Sequence, residues 1–96
     1  MFIVTLTYQK PEAAIDAALE GHRVFLREQY AAGVFLMSGR LQPRTGGIII
    51  AHGVDRAALD ALLLRDPFHR EGIANYAVVE FVPTMTAPEL SGLRQD

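Results

Sequence analysis

Four segments of this chain read as strands, and three of them are apolar on both faces, which constrains the fold more than any other feature. In residues 2–8 (FIVTLTY), Phe2, Val4 and Leu6 fall on one side and Ile3, Thr5 and Thr7 on the other. In residues 73–82 (IANYAVVEFV), Ile73, Ala77, Val79 and Phe81 share one side, and Ala74, Tyr76, Val78 and Val82 the other. In residues 34–41 (VFLMSGRL), Phe35, Met37 and Leu41 oppose Val34, Leu36, Ser38 and Arg40. Residues 48–52 (IIIAH) form the remaining strand candidate. A sheet covered by helices on one face alone should alternate apolar with polar residues. Here a second face also needs cover.

The segments between the strands supply helices for only one face. Pro11 and Glu12 suit a helix start, with proline in the first turn and an acid near the positive end of the helix dipole. From about residue 12 to 32, Ile15, Leu19, His22, Leu26 and Tyr30 recur at helical spacing, with Ala18 and Phe25 beside them. Gly33 sits where a C-terminal glycine cap belongs. Pro43 to Gly47 predicts a hairpin turn, with the glycine pair in the turn. Asp55 can cap a second helix over RAALDALLLR, which ends at Asp66-Pro67 because the residue before proline disfavours the α region. The order is βαββαβ. It predicts an α+β, ferredoxin-like sandwich over residues 1–83, one antiparallel sheet with both helices on one face, followed by a tail (84–96) expected to be an arm or a disordered end. Two helices and a short tail cannot cover both faces. A second copy packed sheet to sheet is the simplest cover, and a homodimer is expected.

The chain has 96 residues, 50% of them hydrophobic, with 9 Lys+Arg against 11 Asp+Glu and no Cys. One small domain fits that length, and the apolar fraction is too high for disorder. A mildly acidic balance argues against nucleic acid as a partner. Without Cys there is no disulfide framework, thiolate zinc site or Cys nucleophile. No signal peptide pattern and no run near the ~18 apolar residues of a membrane span occur, so a cytoplasmic protein is expected, without a membrane partner.

His22 is the most informative polar residue, because it shares the apolar stripe of the first helix and faces a partly dry region. A satisfied core histidine is the plainer explanation, and a general base tuned by burial and a partner is the functional one. Asp66 is the candidate partner, since a residue ending the second helix can approach the first. A carboxylate on one imidazole nitrogen fixes the tautomer and makes the other nitrogen more basic. Asp66 before Pro67 is equally a helix N-cap of a short turn through Glu71. Ser38 and Arg40 point to one side of their strand around Gly39, and Arg40 can hold a carboxylate or carbonyl; a solvent-facing strand-end arginine is the alternative. His52 and His69 stand apart from His22 without metal-ligand spacing, so no metal site is expected. Tyr8 and Tyr76 read as packing residues.

Three features together resemble the YciI-like (YCII-related) family. They are the opening hydrophobic strand; His22, Phe25-Leu26, Gly33 and Ser38-Gly39; and Asp66-Pro67-Phe68 followed by Gly72 and the last strand. The resemblance implies a dimeric α/β-barrel whose protomers pair through their sheets, with His22 and Asp66 as a pair in a pocket. Phe25 stands where an aromatic Tyr is common in the family, which removes a phenol at that place. The implied chemistry is cofactor-free proton transfer, elimination or isomerisation on a small organic substrate, with Ser38 and Arg40 holding its oxygens. A module that binds or senses a metabolite without chemistry, and a purely structural dimer, are the other readings of the same features. Fold alone cannot choose among them.

Overall fold

The structure, a computed structural model, describes residues 1–95. The elements run β1 (Phe2–Tyr8), α1 (Glu12–Ala31), β2 (Phe35–Arg40), β3 (Gly46–Ala51), α2 (Arg56–Leu63), α3 (Pro67–Arg70), β4 (Ala74–Glu80) and a 3-10 helix (Pro88–Leu93). The sheet is antiparallel throughout, in the order β2-β3-β1-β4. This is the α+β, ferredoxin-like sandwich. β1 lies between β3 and β4, where both neighbours satisfy its backbone.

Register decides which residues meet the helices. Val4 pairs with Ile49 on one side and Val78 on the other, and Phe2 pairs with Ala51. These residues form the inner face. Phe2, Val4, Leu6, Ile49 and Ala51 are buried there against Ile15, Ala18 and Phe25 of α1, Leu59 and Leu63 of α2, and Phe68 of α3. Ile3, Ile48, Ile50 and Val79 register together on the opposite, outer face.

α1 begins one residue after Pro11, which serves as its N-cap and lies outside the first turn; the Pro11 carbonyl accepts from the Ala14 and Ile15 amides. It ends at Gly33, whose φ of 77° is the left-handed conformation that glycine adopts without steric cost. Asp55 caps α2, its carboxylate accepting from the Ala58 amide at 2.8 Å, a contact worth about 1 kcal/mol.

Three expectations are corrected. Gly46 and Gly47 open β3 and do not form the hairpin turn. A Cβ on Gly46 would stand 1.7 Å from the Leu6 carbonyl oxygen, so only glycine lets β3 lie against β1 there. Simple alternation put Ser38 opposite Phe35, but a bulge between Phe35 and Met37 resets the pairing. Phe35 pairs with Ala51 and Ser38 with Ile49, so both take inner-face register positions. The tail, expected as an arm or a disordered end, carries a 3-10 helix. It folds back so that the Gln95 amide donates to the Pro83 carbonyl and the Met1 ammonium donates to Gln95 Oε1.

Candidate active site

The sequence places a helix start directly after the second helix, and this builds the site. Asp66 has extended backbone angles and caps α3, its Oδ1 accepting from the Phe68 amide at 3.0 Å. Pro67 occupies the first turn of α3, where its missing N–H costs nothing. α3 then packs on α1 at Gly21, where an added Cβ would lie 3.1 Å from Pro67 Cγ. The lack of a side chain there brings the two helices close enough for the next residue of α1 to reach the cap.

That residue is His22. Its Nδ1 lies 2.9 Å from Asp66 Oδ1 and 3.0 Å from Oδ2. The Asp66 side chain is 0% exposed and that of His22 12%. The imidazole stacks face to face on Phe68, with ring centroids 3.9 Å apart and planes 2° from parallel. A carboxylate at Nδ1 and a phenyl on the ring face together fix its orientation. Nε2, on the far side of the ring, has no hydrogen-bond partner among the described residues. His22 lines a cavity between α1 and the sheet, with walls from Leu6, Tyr8, Leu19, Leu26, Ile49 and Phe68. Counting its open mouth, it holds about 520 Å³ of empty space. The buried residues of α1 are Ile15, Ala18, Phe25 and Gln29, and the Leu19–His22–Leu26 row borders the cavity instead.

Sequence reasoning missed three residues here. Tyr76 was expected to pack, yet its hydroxyl donates to Asp66 Oδ2. Its signal was a phenol on the inward row of β4, where Tyr76 registers with Leu6. Burial is the main reason the Tyr76 phenol is held well above the ordinary phenol range; the Asp66 charge adds to it, as does the hydrogen bond. Arg23 lines the cavity mouth beside His22 and makes no ion pair among the described residues, whereas Arg27, Arg44, Arg56 and Arg65 do. Tyr30 Oη hydrogen-bonds Ser38 Oγ, closing one turn of α1 onto β2.

Ser38 and Gly39 line the cavity with His22. Arg40 does not: it is exposed, and it borders an adjoining depression with Met37, Ser38, Gly39, Ile48 and Ile50. His52 and His69 also lie away from the cavity. Among the described residues no three His, Asp or Glu side chains gather where a metal ion could be held, and no helix is long and apolar enough to cross a membrane.

No curated protein matches the chain. Among solved structures, it is similar to the 5-chloro-2-hydroxyhydroquinone dehydrochlorinase TftG of Burkholderia phenoliruptrix AC1100, in complex with 2,5-dihydroxybenzoquinone. The TM-score is 0.69 at 15% identity, over 84% of this chain and 93% of that one. At that identity the likeness is one of fold. The sequence itself matches the YCII-related domain over residues 1–82, and the chain therefore belongs to the YCII-related family.

Proposed function

We propose that the chain is a cofactor-independent enzyme acting on a small organic molecule, with His22 as general acid/base and Asp66 as the residue that orients it. One observation carries this: a buried carboxylate holds Nδ1 of a stacked imidazole while Nε2 is left free at a cavity. A base must sit within hydrogen-bond reach of the proton it takes, and Nε2 is the nitrogen free to do so. Proton uptake creates an imidazolium beside Asp66, whose charge stabilises it.

The largely apolar walls favour a small, ring-sized substrate. Arg23 at the mouth offers a cation to the negative charge that develops on a substrate oxygen once a neighbouring proton leaves. Ser38, held by Tyr30, offers a fixed hydroxyl on the opposite side. The supported reaction class is proton abstraction with elimination or isomerisation. A dehydrochlorinase of the same fold, seen with a dihydroxybenzoquinone, supports that choice.

The functional unit we propose is a homodimer paired through the outer sheet face. Met37 and Val79 on that face are 56% and 59% exposed, with Ile3, Ile48 and Ile50 between them. Monomers rarely leave so contiguous an apolar surface open.

The test is a panel of chlorinated hydroquinones, hydroxybenzoates and unsaturated lactones incubated with the protein in deuterated water and followed by NMR. His22→Gln should lower turnover or deuterium incorporation by about 10²–10⁴-fold, and Arg23→Gln should chiefly lower kcat. Undiminished turnover in His22→Gln removes the proposal. A panel member that binds, raises the melting temperature and is recovered unchanged with no deuterium gained assigns the site to metabolite binding instead.

A further inference from the structure

Asp66 is bonded by more than the histidine. The Phe68 amide donates to Oδ1, the Tyr76 hydroxyl donates to Oδ2, and His22 Nδ1 lies almost equally far from both oxygens. An amide can only donate. The Tyr76 phenol, held protonated by burial and by the Asp66 charge, donates as well. With both oxygens engaged as acceptors by fixed donors, the proton on the Asp66–His22 contact belongs to Nδ1, and the lone pair is left on Nε2.

We infer that Tyr76 is a positioning residue that acts on His22 through Asp66: its hydroxyl holds the carboxylate as an acceptor and takes up part of the charge the imidazole would otherwise draw on. It touches neither the cavity nor a substrate there. It reaches Asp66 from the inward row of β4, beside a depression it shares with Arg56 and Asp60 of α2 and His69 of α3. The His69 ring is tilted against the Tyr76 ring, with centroids 5.0 Å apart. A hydrogen bond to a buried carboxylate competes with every other bond to it, because each donor withdraws charge from the same two oxygens. Removing the phenol hydroxyl should therefore strengthen the bond from Nδ1–H, and making the phenol more acidic should weaken it.

The inference rests on the acid/base reading of His22, but its test needs no substrate. In the full chain, the ring Nδ1 proton of His22 is observed by NMR at low temperature. Tyr76→Phe should move that resonance downfield, the mark of a stronger hydrogen bond. Placing 3-fluorotyrosine at position 76 alone keeps the ring and the hydroxyl, so it also serves if Tyr76→Phe fails to fold. It should move the resonance upfield. In an Asp66→Asn background neither change should matter, because the path runs through the carboxylate. A resonance that stays in place in both folded variants, or moves opposite to these directions, overturns the inference. Shifts as expected in a protein that turns over none of the panel would leave Tyr76 its role on His22 and remove the catalytic reading alone.

Discussion

Asp66 meets three structural demands with one carboxylate: it caps α3, holds His22 and accepts from Tyr76. The backbone set part of this before any side chain met another. Asp before Pro predicts the cap, and a histidine on an apolar stripe predicts a buried imidazole; both were legible in the sequence. Tyr76 was not, because strand alternation says only that a residue faces inward. Whether its hydroxyl finds a partner depends on how α3 sits against β4. The phenol carries a prediction about pH. Its folded value is raised, mainly by burial, so the folded chain keeps a proton that the unfolded chain releases above about pH 10. The stability tied to that proton is fully present below about pH 10 and is lost as pH rises beyond it. Urea midpoints should therefore fall more steeply on the alkaline side of about pH 10 in the native chain than in Tyr76→Phe. At neutral pH that variant should be less stable by about 1.5–3 kcal/mol, the usual worth of a hydrogen bond to a charged group.

At the scale of elements, the site depends on the contact between α1 and α3 at Gly21 and Pro67. The helix pattern of α1 was legible from its spacing of three and four, but this close approach was not, since nothing in a periodic stripe marks which small residue meets another element. Gly21→Val should prise the helices apart, because a branched side chain there meets the proline ring. The expected cost is about 1–3 kcal/mol, the range for overpacking. A longer separation between His22 and Asp66 should also weaken the Nδ1–H bond, seen as an upfield move of its NMR resonance. Arg40 shares the register row of Ser38, as alternation predicts, pairing with Gly47 as Ser38 does with Ile49, but it is exposed on edge strand β2 and does not line the cavity. The bulge at Phe35/Met37 puts Phe35 on that same row. A bulge adds one residue to a strand, and simple alternation cannot see it.

For the whole molecule, the order βαββαβ was legible because each run of β-branched residues was bounded by a proline, a glycine or a helix cap. The two-faced strands carried more: they showed an apolar surface that the chain's own helices could not cover. In the structure that outer face holds Ile3, Met37, Ile48, Ile50 and Val79. The tail lines a groove at its margin with Met85, Leu90 and Leu93 against Met37 and Ile50, on the side away from His22. The tail's course could not be read from proline and serine content, since those residues permit a 3-10 turn as readily as disorder. Sedimentation should give about twice the 10.6 kDa chain mass. Ile50→Lys, a charge placed in the middle of the outer face, should halve that mass without unfolding the inner core. A native chain that sediments as a monomer at tens of micromolar would contradict the pairing.

The proposed chemistry needs a free Nε2 on His22, and the ring nitrogens report it directly. Two-bond nitrogen–proton correlation spectra of the native chain, recorded where the ring is neutral, distinguish which nitrogen carries the proton. The expected result is a neutral ring protonated at Nδ1, with the Nε2 lone pair open to the cavity, and loss of that preference in Asp66→Asn. A native spectrum with the proton on Nε2, unchanged in Asp66→Asn, would show that the carboxylate does not orient the ring, and the proposed base would not exist.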